Sequence, residues 1–125
     1  MTTIKSEFGF YCEKLASEFL EKRGYLIIER NYRKPWGEID IIAKLGRIMC
    51  FVEVKASRGI HPGFEPELRA GYKKMHKVAR TAQMYMADKK FQPEQEFRFD
   101  LITVVFDSLN KTAKIKHFHN IDVIG

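Results

Sequence analysis

Apolar residues recur at Phe8, Tyr11, Cys12, Leu15, Ala16 and Phe19, the i, i+3, i+4, i+7 spacing of an amphipathic helix. Lys22, Arg23 and Gly24 follow, two cations suited to the negative helix end and a glycine where a C-terminal cap belongs. Residues 25–29 form a short apolar run of strand character, and residues 31–36, with the breaker Pro35, read as a connecting loop. Two alternating runs come next, residues 37–43 and 48–55, separated by Lys44-Leu45-Gly46-Arg47. They predict a hairpin turning at Gly46. Residues 56–71 hold three glycines, two prolines and no periodicity, and read as an irregular loop. Met75, Val78, Ala79, Ala82, Tyr85 and Met86 predict a second amphipathic helix over about residues 72–88. Residues 97–106 and 113–118 read as strands joined by a turn at 107–111. The order is αβββαββ, so the expected class is α/β with a central mixed β-sheet flanked by helices.

The predicted hairpin breaks its own pattern, because Asp40, Glu53 and Lys55 interrupt two of the most apolar stretches in the chain. Glu53 and Lys55 are two residues apart, so they share a face at roughly 7 Å. With Gly46-Arg47 as the central pair of the turn, Asp40 falls opposite Glu53. With Leu45-Gly46 it falls opposite Phe51, one diagonal away. Both registers keep the three charges on one face, since a slip by a full pleat preserves parity. Two carboxylates can hold a hard divalent cation through oxygen, and a neighbouring lysine kept cationic can orient a water or offset charge on a phosphate. Charges lining a solvated sheet face would produce the same pattern.

Gly37-Glu38-Ile39-Asp40 followed by Phe51-Val52-Glu53-Val54-Lys55, thirteen residues after the aspartate, resembles the signature of the YraN-like family of predicted endonucleases. That family is similar in turn to the restriction-endonuclease-like superfamily, which includes archaeal Holliday junction resolvases. The resemblance covers nearly the whole chain. Gly9-x-x-x-Glu13-x-x-Ala16 resembles the family's first helix and Arg30-Asn31-x-Arg33 its first loop. Lys74 resembles the lysine opening its second helix, and Arg98-Phe99-Asp100 its fourth strand. The resemblance implies a restriction-endonuclease-like fold and a Mg²⁺-dependent endonuclease acting on DNA, with Mn²⁺ as a substitute and branched or damaged DNA as candidate substrates. It also implies roles: Asp40 and Glu53 bind the metal, Lys55 serves the attacking water, and Glu13 completes the acidic cluster. By the helix periodicity Glu13 lies on the flank of the apolar stripe, roughly 120° from its centre. The chain departs from the family in having Ala56-Ser57 before Arg58, where basic residues commonly follow the lysine, and Leu45 before the turn glycine. A non-catalytic nucleic-acid-binding or repair-associated module that keeps the fold is the alternative.

Composition adds a partner class. The chain has 125 residues, one domain spanning 1–125, with 45% hydrophobic residues and a formal net charge of +6. Arg69, Lys73, Lys74, Lys77, Arg80, Lys89 and Lys90, less Asp88, account for all of that excess. A basic segment suits a polyanion such as nucleic acid. Within the second helix Lys73, Lys77 and Arg80 fall opposite the apolar stripe, and only Lys74 on its flank. Arg58, Lys74 and the loop at His61–Phe64 are therefore the expected phosphate contacts. No apolar run reaches the length of a membrane span, and the N-terminus lacks the apolar core of a signal peptide. The expected location is the cytoplasm, with no membrane partner and an open oligomeric state, a homodimer included. Cys12 and Cys50 read as small core residues. His61, His76, His117 and His119 show no ligand spacing and read as surface residues, although His117 and His119 alternate on one strand. Trp36 reads as a loop residue capping the core, with base stacking as its other use.

Overall fold

The computed structural model describes residues 6–59 and 65–122, with side chains left out over 65–73. The first helix, α1 (Glu7–Lys22), is started by Ser6, whose hydroxyl accepts the Gly9 N–H at 3.1 Å. It ends as the glycine predicts. Gly24 has a φ of +90°, and the N–H groups of Gly24 and Tyr25 bond the carbonyls of Glu21 and Leu20, a Schellman closure.

Three strands follow: β1 (Leu26–Lys34), β2 (Gly37–Leu45) and β3 (Ile48–Arg58). The second helix, α2 (Glu65–Asp88), then leads to β4 (Phe97–Asp107) and β5 (Thr112–Phe118). The five strands form one mixed sheet in the order β1-β2-β3-β4-β5. Only β3 and β4 run parallel, and α2 makes the crossover that a parallel pair requires. The architecture is the α/β class with order αβββαββ, consistent with a restriction-endonuclease-like fold. The hairpin turn uses Gly46-Arg47 as its central pair, with Leu45 opposite Ile48 and a positive φ at Gly46 but not at Arg47.

Both faces of the sheet are covered. Cys12, Ala16 and Leu20 of α1 pack on Ile41, Ala43, Cys50, Val52, Ile102 and Val104. On the other face Met75, Val78, Ala82 and Tyr85 of α2 pack on Tyr32, Ile42, Met49 and Phe51. This two-sided burial explains why the central strands are apolar at nearly every position. Cys12 and Cys50 are fully buried, as core residues should be.

Several boundaries differ from the sequence-based expectation. Residues 31–34, expected as loop, continue β1, and only Pro35 and Trp36 make the turn into β2. Ladder bonds to β2 override the loop-like composition, and Asn31 tolerates a φ of +55° within the strand. Residues 56–58 extend β3 along β4, and α2 begins at Glu65, seven residues before the expected start. Pro66 falls in the first turn, where its missing N–H costs nothing. Trp36 is exposed and does not cap the core.

Candidate functional site

Regular pairing of β2 with β3 ends at Ile41 opposite Val52. Just beyond, strict alternation in β2 lapses: Ile41 belongs to the α1-side core, yet Ile39 packs with the α2-side core. The strands part there, and a side chain takes the place of the missing backbone acceptor. The Asp40 carboxylate accepts the Val54 N–H at 2.8 Å, from the residue between Glu53 and Lys55. The structure thus brings Asp40 to the Glu-Val-Lys segment across the opening between the strands. Asp40 is 3% exposed and Glu53 4%, so the solvated-face alternative does not apply to these two acids. Glu53 faces α2, where the Lys74 ammonium lies 3.5 Å from its carboxylate. Lys55, two residues on, shares that face by alternation and is half-buried.

Glu13, on the flank of the apolar stripe by periodicity, lies inside the fold and is 2% exposed. The sequence stripe was centred too near Tyr11, which is 47% exposed; the buried arc runs through Cys12, Glu13, Ala16, Ser17 and Leu20. The reason is the aromatic edge of the helix. Phe8 and Tyr11 meet Phe106 and Phe19 meets His117, which fixes that edge over β4 and β5. The opposite flank, bearing Glu13 and Ser17, is thereby turned inward and buried.

Two of the expected phosphate contacts, Arg58 and Lys74, are on different faces. Arg58 stacks its guanidinium 4.2 Å from the centre of the Phe8 ring, on the α1 side, whereas Lys74 stands on the α2 side. Lys77 and Arg80 are exposed, as the helix periodicity predicts, and the loop at His61–Phe64 lies outside the described residues.

The structure also gathers a cluster around Asp100 that includes two histidines, His117 and His119, read from the sequence as surface residues. Asp100 is completely buried. Its carboxylate accepts from Arg98 Nε at 3.1 Å and from the Asn120 N–H at 2.9 Å, and lies 2.8 Å from His117 Nε2. Arg98 also donates to the Tyr25 hydroxyl and approaches His119 Nδ1 at 3.5 Å. The His117 side chain is only 4% exposed, and its ring centre is 3.8 Å from that of His119. Burial by itself would raise the Asp100 carboxyl, but the bonds from His117 and Asn120 and the charge of Arg98 outweigh it and hold the group below the usual carboxylate range. Burial and the neighbouring His117 push the His119 imidazole down from its ordinary value. Burial also pushes the Cys50 thiol, beside Arg98, up to about 11. The surface assignment of His117 is therefore corrected. Its signal was present in two alternating pairs, Arg98-x-Asp100 and His117-x-His119, which the β4–β5 register, with Ile102 opposite His117, brings to one face of neighbouring strands.

Among the described residues no helix is long and apolar enough to cross a membrane. The model of the uncharacterised protein family UPF0102, the YraN family, matches residues 12–104, which include Glu13 and Asp100 and stop short of His117. A UPF0102 protein of Clostridium botulinum strain 657 is 38% identical over 120 residues, 96% of this chain and 97% of its own. A UPF0102 protein of Syntrophotalea carbinolica is 37% identical over 118 residues, 94% of this chain and 93% of its own. With a family match over most of its length and relatives that align almost end to end, the chain belongs to the UPF0102 family.

Proposed function

We propose that this chain is a divalent-metal-dependent endonuclease hydrolysing phosphodiester bonds in DNA, with branched or damaged structures as the candidate substrates. The observation that carries the reading is the Asp40 carboxylate held at 2.8 Å on Val54, between Glu53 and Lys55, where β2 and β3 part. Carboxylates out of water must be paired, hydrogen-bonded or coordinated to a metal.

The donor set fits Mg²⁺, a hard cation that takes oxygen ligands and commonly only one or two protein carboxylates. Asp40 and Glu53 would hold it, and Mn²⁺ would substitute. Bound there, the ion supplies Lewis-acid stabilisation to a phosphate. Lys55, half-buried beside these acids, would orient the attacking water and offset charge developing on the phosphate. Glu13, buried on the α1 side, would add a third acid by reaching the opening between the strands from the face opposite Glu53. Lys74, beside Glu53, would contact the nucleic-acid backbone at this opening, and Arg58 would meet it only from the other face of the sheet, giving binding that falls steeply with salt and carries little sequence preference.

The Lys74–Glu53 ion pair also supports a second reading. It is what a non-catalytic nucleic-acid-binding module would retain once the acids had become structural. The experiment that separates the two incubates single-stranded, duplex, flap and four-way-junction DNAs with the protein in Mg²⁺ or Mn²⁺. Cleavage of at least one substrate, lost in both Asp40→Asn and Lys55→Ala, is the expected result. Salt-sensitive binding with no cleavage in either metal would overturn the nuclease reading in favour of the second.

A further inference from the structure

We infer that His117 and His119, with Asp100 behind His117, form a second metal site, one for a transition-metal ion of the Zn²⁺ class. One ligand atom from each of the three side chains lies within 4.8 Å of the others. The arrangement of His117 is what sets the cluster apart from an ordinary buried histidine. Its Nε2 lies 2.8 Å from the Asp100 carboxylate, which fixes the proton on Nε2 and leaves a lone pair on Nδ1. That Nδ1 is buried and has no hydrogen-bond partner. A buried acceptor without a donor is a standing cost to the fold. A carboxylate-oriented imidazole whose other nitrogen is open is the usual arrangement of a metal-ligating histidine.

His119 supplies the second imidazole, its ring centre 3.8 Å from that of His117. Its Nδ1 is 3.5 Å from Arg98 Nη2, the outer limit of a hydrogen bond, and the exposed ring can exchange that contact for an ion by rotation about χ2. Arg98 does not make the locus repel a cation, because its charge is matched by Asp100 at 3.1 Å. Imidazole donors favour Zn²⁺, Cu²⁺ and Ni²⁺ over Mg²⁺. The two candidate centres therefore differ in ligand chemistry. They also lie on opposite faces of the sheet, since His117 sits against Phe19 of α1 and Glu53 against Lys74 of α2. An ion at His117 and His119 would link two alternate residues at the end of β5 and, through Asp100, hold them to β4.

The test uses the full chain without a histidine tag, stripped of metal and titrated with Zn²⁺ by calorimetry and with Co²⁺ by its visible absorption. Wild type should bind one ion through nitrogen ligands and melt at a higher temperature with Zn²⁺. His119→Ala, at an exposed position that leaves the fold intact, should bind about tenfold or more weakly and lose the thermal response. His76→Ala and Asp40→Asn should bind Zn²⁺ as wild type does. Absence of Zn²⁺ and Co²⁺ binding in wild type would overturn the site. So would unchanged affinity in His119→Ala, or loss of the ion in Asp40→Asn with retention in His119→Ala. None of these outcomes depends on whether the chain cuts DNA.

Discussion

Asp40 combines two roles that substitution can separate: it closes the parting between β2 and β3, and it is the proposed metal ligand. Its carboxylate accepts the Val54 N–H at 2.8 Å. A hydrogen bond to a charged group contributes about 1.5–3 kcal/mol and one between neutral groups about 0.5–1.5 kcal/mol. Asp40→Asn keeps a carbonyl oxygen in the same place, so it should cost about 1 kcal/mol, a fall of about 3–6 °C in Tm for a chain of this size. Asp40→Ala removes the acceptor altogether and leaves the Val54 N–H without it, costing a further 1–3 kcal/mol or so. The metal response should behave differently. At about ten times the dissociation constant, a bound ion adds about 1.4 kcal/mol to the stability of the folded chain. That increment should appear in wild type with millimolar Mg²⁺ or Mn²⁺ and vanish equally in both variants. The assay is a thermal melt of the three proteins with and without metal, beside DNA cleavage and binding on the same samples. Asp40→Asn should bind DNA at least as tightly as wild type, because a negative charge facing phosphate is gone. If Asp40→Asn keeps the full metal response, Asp40 is only a backbone acceptor. If Asp40→Ala is as stable as Asp40→Asn, the hydrogen bond to Val54 carries no weight.

Phe51 is fully buried with its ring 5.9 Å from both Tyr85 and Phe99, so Phe51→Ala should cost about 3–5 kcal/mol, read from the urea midpoint. A Cβ at Gly37 would run into the hydroxyl of buried Thr81, which is held by its bond to the Lys77 carbonyl at 2.8 Å. Gly37→Ala should therefore destabilise by about 1–3 kcal/mol, and adding Thr81→Ala should recover most of it; equal stability of the single and double variants would refute the contact. Burial pushes the Cys50 thiol up to about 11 and raises Cys12 as well. At pH 8 neither should react with a thiol reagent until urea unfolds the chain, and rapid labelling of the native protein would refute their burial.

The central hairpin was legible because its information is local. Alternation with a period of two fixes which residues share a face, and Gly46 fixes the turn through its positive φ. The first helix was legible for the same reason, from its 3.6-residue period and the glycine that ends it. Its rotation was not. Phe8 and Phe19 are as apolar as Cys12 and Ala16, and only their contacts with Phe106 and His117 decide that the buried arc is shifted to include Glu13. The start of α2 escaped for a different cause, since its first residues, Glu65-Pro66-Glu67, carry no apolar period.

The element order, the α/β class and the charged residues set into the most apolar strands are readable from the residues alone. The tertiary structure decided what those charges touch. The Asp40 bond to Val54 exists because two strands separate beyond Ile41, and no one-dimensional pattern records where a ladder stops. The Asp100 cluster joins residues from separate strands and exists because β4 and β5 pair with Leu101 opposite Phe118, which carries His117 under α1 and out of water. Exposure of a histidine is a property of what packs over it, and Phe19, nearly a hundred residues away, is what packs there.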